Sequence, residues 1–434
     1  MEKLVSLCKR RGFVFQSSEI YGGINGFWDY GPYGVTLRRA VEQLWWSEIV
    51  EDRDNVVGLD SSVICHPEVW RASGHIEKFF DLMVDCTDCK HRHRLDQMED
   101  PEVCPDCGSR NLTAPREFNL MMKTYVGPIF DEEHAAYLRA ETCQPIFVDF
   151  DLVRIASRQK LPFGIAQVGK AFRNEVTPRY FTFRSREFVQ MEMEFFCRDN
   201  DAMEWFEYWR EQRWRYYTDL LKIPSDKLRI HEHEQLAHYA KAAVDIEFQF
   251  PFGWGEMEGV HHRGTYDLSR HEEYSGKDMK YFDQEANERF HPTVIETSCG
   301  LDRMCLAILA NGYYEDLAET KKEGKEQDVR VVLRLAPAIA PVQVAVLPLS
   351  KKLTENAEPL YHKLRKRFRA EYDDGGSIGK RYRRQDEIGT PLCVTVDFET
   401  LEDNAVTVRD RDEMTQERVG LDALDSYLAD RIFS

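Results

Sequence analysis

The sequence predicts an α+β protein: an antiparallel sheet flanked by helices, a small metal-binding insertion, and a C-terminal α/β domain after a charged linker. Three observations carry this. Two strand-like runs, Ile165 to Glu175 and Glu187 onward, bracket an arginine-rich loop and read as a hairpin. Four cysteines form two Cys-x-x-Cys pairs, Cys86/Cys89 and Cys104/Cys107. Beyond Lys321–Asp328, strands and helices alternate.

With 434 residues the chain has room for two or three domains, and 42% hydrophobic with 31% charged residues is ordinary for a soluble globular protein. The net charge of −18 excludes indiscriminate binding to nucleic acid, because a polyanion is held by neutralising its phosphates. Any RNA contact must come from local basic patches. The longest weakly polar run, Leu335 to Leu349, is interrupted by three prolines and is too short to span a bilayer. The N-terminus lacks a signal-peptide apolar core, so a cytoplasmic protein with no membrane partner is expected. Eleven cysteines with four clustered fit a metal site in a reducing compartment better than a disulfide framework.

In chain order, residues 1 to 31 are rich in glycine and aromatics, and Trp28, Tyr30 and Tyr33 can wall a small pocket. From Tyr33 to Asp52, Leu37, Val41, Leu44, Trp45 and Ile49 recur at spacings of three and four, the mark of an amphipathic helix. A strand is expected from Asn55 to Cys65, before His66-Pro67. The Cys86, Cys89, Cys104 and Cys107 knuckles predict a four-sulfur tetrahedral zinc site, structural because no coordination position stays open. In isolated zinc-finger peptides such a site supplies on the order of 10 kcal/mol of folding free energy. Lys90, Arg92, Arg94 and Arg110 surround it as an RNA-touching or simply solvated face.

In the hairpin, the period of two puts Gln167, Arg173 and Glu175 on one face of the first strand. Arg179, Arg184 and Arg186 occupy the loop after Pro178, a candidate phosphate clamp. On the second strand Phe188, Gln190, Glu192 and Glu194 face a ligand while Val189, Met191, Met193 and Phe195 face the core. This suits a nucleotide triphosphate and an amine together, or equally an exposed salt-bridged face. Asn200 to Lys222 reads as a helix packed through Trp205, Trp209 and Tyr216. His231, His233 and His238 read as surface or core residues, without the companions of a metal site. Pro292 to Tyr313 is strand, turn and helix. Val294, Glu296 and Ser298 share a face, Gly300 permits close approach, and Arg303 sits in the first helical turn, where phosphate is favoured. Leu301, Cys305, Ile308 and Leu309 bury that helix. After the linker, strands at Val342–Leu347, Leu392–Phe398 and Ala405–Arg409 interleave with helices near Glu358–Ala370 and Leu421–Ile432. The basic residues from Lys363 to Arg384 lie between them.

Phe172-Arg173-Asn174-Glu175, with Arg184, Arg186, Glu187 and Phe188 after a loop, resembles motif 2 of the class II aminoacyl-tRNA synthetases in its glycyl-tRNA synthetase form. The helix, strand and Pro67 resemble motif 1, which in the family builds a dimer interface, and Pro292 to Tyr313 resembles motif 3. The opening glycine and aromatic segment, Val69–His75 and Phe252–Gly259 agree with the family too. So does the segment around Glu141, where Ala140, Cys143 and Pro145 replace its usual residues. KRYRRQDEIGTP resembles the anticodon-binding domain of several class II synthetases.

The resemblance implies a homodimeric, ATP-dependent enzyme that activates glycine and transfers it to tRNA(Gly), with Mg2+ and structural Zn2+ as metals and no DNA partner. It implies a catalytic domain over 1–84 and 113–330, a zinc ribbon over 85–112 and an anticodon-binding domain over 331–434. Arg173 and Arg303 would hold the phosphates, with Glu175 beside them as the third catalytic residue. Asn174, Phe183, Arg184, Ser185, Arg186, Glu187, Phe188, Glu256, Met257, Gly300, Leu301 and Asp302 would complete the ATP site. Glycine would meet Arg71 at its carboxylate and Glu141, Glu192, Glu296 and Ser298 at its ammonium, with Phe188, Val189, Gln190, Met191, Thr297, Cys299 and Gly300 adjoining. Two rivals remain. A non-catalytic synthetase-like nucleic-acid-binding protein would have lost the two phosphate arginines. A synthetase for threonine, proline or histidine would not need so many glutamates.

Overall fold

The computed structural model describes residues 1–233, 241–317 and 329–433, so His238 and the linker Lys321–Asp328 lie outside the described residues. Its centre is a seven-stranded sheet in the order Leu228–Glu232, Ala242–Phe250, Gly253–Gly264, Thr293–Gly300, Glu187–Cys197, Phe163–Phe172 and Val56–Gly58. All neighbours are antiparallel except the last pair.

The two faces of this sheet divide as the alternation of polar and apolar residues requires. Met191, Met193 and Phe195 are fully buried on one face, against the helices Pro32–Trp46, Ala202–Arg215 and Leu301–Gly312. Leu37, Val41 and Trp45 line the buried side of the first helix, and Phe206 and Trp209 that of the second. The opposite face carries Gln167, Glu192, Glu194, Glu296 and Ser298. Its lower end is capped by the helices Cys143–Val148, Phe150–Ser157 and Tyr266–Ser275, packed on Phe163, Ile165, Phe196 and Val294. Its upper end is open, and there the polar row meets a cavity.

Three expected elements differ, one of them the helix expected near Glu358–Ala370, which runs Thr354–Leu364 and leaves Ala370 to open a strand. The first hairpin strand ends at Phe172, so Arg173 and Glu175 leave the sheet; the Arg173 amide still bonds Arg186 O at 2.9 Å, but the Asn174 amide turns away to Leu120 O. The Asn55–Cys65 strand divides into Val56–Gly58 in the main sheet and Ile64–Cys65 in a smaller one. Ser61, between them, is tied to Gln167 and Arg139 instead of to a ladder. In the insertion, Phe80–Asp85 is the middle strand of a three-stranded sheet below the cysteine knuckles. Arg92 and Arg94 there are paired with Asp85 and Asp81.

The C-terminal part has a five-stranded sheet ordered Ala370–Tyr372, Val344–Pro348, Leu392–Val396, Ala405–Asp410 and Gln416–Gly420. The first three are parallel neighbours and the rest antiparallel. Its helix Ile378–Ile388 holds the basic run, but Arg381 is buried and donates to Pro348 O at 2.5 Å, while Arg384 pairs with Asp373. Arg10 and Arg11 on Glu387, and Tyr33 on Glu371, tie this part to the N-terminal one. No helix among the described residues is long and apolar enough to cross a membrane.

Candidate active site

The cavity above the open end of the sheet measures about 290 Å³ and divides into a cationic, aromatic half and an acidic half. The first half is built by the hairpin loop and by the strand–turn–helix at 293–312. Arg303 stands in the first turn of its helix with its guanidinium 4.5 Å from the Phe183 ring. It donates to Phe183 O at 3.1 Å and meets Glu256 Oε2 at 3.2 Å. Arg173 lies between Phe79 and Phe188, 5.4 and 5.3 Å from their rings, with Nε on Ala140 O at 3.1 Å. Two guanidiniums held against aromatic faces, with Arg184 behind them, form a receptor for phosphate oxygens. Asp302 is fixed rather than free. It accepts from Tyr30 Oη at 2.6 Å and from the Val189 amide at 2.7 Å, which locks the helix start to the hairpin.

The acidic half lies deeper. Glu192 accepts from the Thr142 amide at 2.9 Å, from Thr142 Oγ1, from Ser298 Oγ at 2.6 Å and from Gln190 Nε2 at 2.8 Å. Burial, then the charges of Glu296 and Glu141, nevertheless push it up to about 7. Glu296 goes the other way. Burial opposes its ionisation, but Arg263 at 2.6 Å and His261 at 2.6 Å bring it down to about 2. Glu141 meets His75 Nε2 at 3.2 Å and accepts from Gln144 Nε2 at 3.2 Å. His75 and Arg263 hold it well below the usual carboxylate range in spite of its burial. His261 is raised to about 9, since Asp245 and Glu296 outweigh its own burial. Arg263 clasps Asp267 through two nitrogens, at 2.9 and 3.0 Å. A pocket of buried carboxylates, one of them poised to lose its proton, receives a small cation.

Of the residues proposed from sequence, Arg173, Glu175, Phe183, Arg184, Ser185, Phe188, Glu256, Gly300, Asp302 and Arg303 line the cavity, as do Glu141, Gln190, Glu192, Glu296, Ser298 and Cys299. Others do not. Arg71 is exposed and paired with Glu68, because a surface helix turn carries it outward. Val189, Met191, Met257, Thr297 and Leu301 are buried, the strand residues because period two turns them to the helical face. Asn174 lies past the end of the hairpin strand, Arg186 is spent on Glu175 O and Asn25 O, and Glu187 pairs with Lys170 outside the cavity. Sequence reasoning missed His261, Arg263, Thr142 and Asp267. The signal for the first two was present: the spacing of two along a strand in His261-His262-Arg263, two residues beyond Gly259.

At the insertion, the sulfurs of Cys86, Cys89, Cys104 and Cys107 all lie within 4.8 Å of one another, a donor set that fits tetrahedral zinc.

An antiparallel sheet with an arginine-bearing hairpin loop and a strand–turn–helix about one cavity defines a class II aminoacyl-tRNA synthetase core. A family model described as "tRNA synthetase class II core domain (G, H, P, S and T)" matches residues 125–312, and one described as "Anticodon binding domain" matches residues 343–431. The chain is 53% identical to the glycine-tRNA ligase of Treponema denticola, over 96% of this chain and 94% of that one. It is 52% identical to that of Thermobifida fusca and 50% identical to that of Clostridium acetobutylicum, each over 100% of this chain and 98% of the relative. The chain belongs to the glycine-tRNA ligase family.

Proposed function

We propose that this chain activates glycine with ATP and transfers it to tRNA(Gly). The observation that carries the reading is one cavity with a guanidinium-lined half beside a carboxylate-lined half. A glycine carboxylate oxygen attacks the α-phosphorus, the bond to the β-phosphate oxygen breaks, and pyrophosphate leaves with glycyl-adenylate formed. The carboxylate is itself the nucleophile, so no general base is required. The protein's part is alignment and charge stabilisation. Arg173 is assigned to the α-phosphate and Arg303 to the β/γ end, with adenine against Phe188; Glu175 lines the same half. Glu256, half-exposed at the rim, would hold Mg2+, which supplies charge neutralisation on the phosphates. Glu141, Glu192, Glu296 and Ser298 are assigned to the ammonium. A terminal hydroxyl of the tRNA then attacks the carbonyl carbon and AMP departs.

Charge selects an amine and volume selects its size, since fitting even one extra methyl into a packed site costs roughly 1–3 kcal/mol. The domain limits 1–84 with 113–330, 85–112 and 331–434 are part of this proposal, as are a zinc ion on the four ribbon cysteines and a homodimer. A cytoplasmic setting is supported by eleven cysteines, none of them joined in a disulfide. Aminoacylation of tRNA(Gly) transcript tests the activity, with glycyl-tRNA expected and no charging as the contrary result. Sedimentation tests the dimer, for which a species of one chain's mass would be contrary.

A further inference from the structure

Strand pairing sets Glu194 directly opposite Glu296, one pair of side chains deeper than Glu192 opposite Ser298. Glu194 is 0% exposed, and neither of its carboxylate oxygens has a hydrogen-bond partner. Such a group lacks what burial normally demands. Cys143, the first residue of its helix, brings a thiol to the same place. Its Sγ, one oxygen of Glu194 and one of Glu296 all lie within 4.8 Å of one another, and all three residues are buried. The thiol also meets Glu141 Oε1 at 3.0 Å. Glu141 and Asp267 add negative charge to the cluster; against them stand Arg263, shared between Asp267 and one oxygen of Glu296, and His261 on the other oxygen of Glu296, with which a cation there shares that carboxylate.

One thiol with two carboxylates is a donor set for a borderline-soft divalent cation of the zinc type, and a poor one for Mg2+, which takes oxygen ligands in octahedral array. We propose that Cys143, Glu194 and Glu296 form a second metal site, distinct from the ribbon cysteines, that takes a zinc-like divalent cation beneath the floor of the cavity. Binding breaks the S–H bond of Cys143, and the O–H bond of Glu194 where it is protonated, and releases those protons to solvent. A cation there also engages Glu296, and therefore competes with the ammonium of glycine. Only this competition rests on the placement of glycine given above.

The test uses the purified full chain with its resident metal, Cd2+ as probe, equilibrium dialysis, and the ultraviolet absorption of cadmium–thiolate bonds. Wild type should bind one more Cd2+ per chain than Cys143→Ala and show a larger thiolate band, and Glu194→Gln should weaken that extra ion tenfold or more. Both variants should retain the wild-type circular dichroism. Equal stoichiometry and equal bands in wild type and Cys143→Ala would overturn the site. Saturating glycine should raise the apparent Kd of the extra ion. If the ion binds and glycine has no effect on it, the site stands and the ammonium placement falls.

Discussion

Glu192 supplies the sharpest quantitative expectation. Its carboxylate is buried among four donor contacts yet stands at about 7, because burial and the neighbouring Glu296 and Glu141 outweigh them. An ammonium bound beside it favours the anion, so glycine binds the ionised form and lowers its pKa. With that starting value the free site is ionised to about nine-tenths at pH 8, about half at pH 7 and about one-tenth at pH 6. The KM for glycine should therefore rise roughly tenfold from pH 8 to pH 6, with the KM for ATP much less affected. Glu296 at about 2 and His261 at about 9 titrate outside that window. Glycine-dependent pyrophosphate exchange over this range is the assay. Glu192→Gln should remove the slope and raise the KM roughly 10- to 150-fold, the equivalent of about 1.5–3 kcal/mol for a hydrogen bond to a charged group. A flat profile in wild type, or an unchanged slope in Glu192→Gln, would refute the reasoning.

Arg303→Ala should lower kcat for exchange by about 100- to 1,000-fold, as expected for removing one preorganised donor to developing charge, while the KM for glycine changes little; steady-state kinetics separates the two. At Gly259 an added Cβ would lie 2.4 Å from the His261 ring. Gly259→Ala should therefore dislodge His261 from Glu296, cost roughly 1–3 kcal/mol in thermal unfolding and raise the glycine KM. Metal analysis should find at least one zinc per chain, and Cys104→Ser should lose one equivalent of it, with amide-exchange protection falling in residues 85–112 before the main sheet.

The elements legible in the sequence were those whose local pattern and tertiary role coincide. Thr293–Gly300 followed by Leu301–Gly312 is such a case, with an alternating strand, a glycine turn and an apolar helix face all within one segment. The cysteine knuckles are another. The alternation that sets His261 and Arg263 on one strand face is readable, but their role is not, because it comes from pairing with a distant strand, which sets His261 opposite Glu296. The helix Ile378–Ile388 was hidden by its own composition. Its buried positions are Arg381, Gln385, Asp386 and Ile388, so no apolar stripe marks it. Arg71 misled for the converse reason: only tertiary placement shows that its short helix directs it to Glu68.

Pyrophosphate exchange into ATP, with each of the twenty amino acids supplied singly and no tRNA present, tests the central claim most directly. Exchange with glycine and none comparable with alanine or serine is the predicted result. Exchange driven best by a larger amino acid would contradict the assignment of the carboxylate pocket.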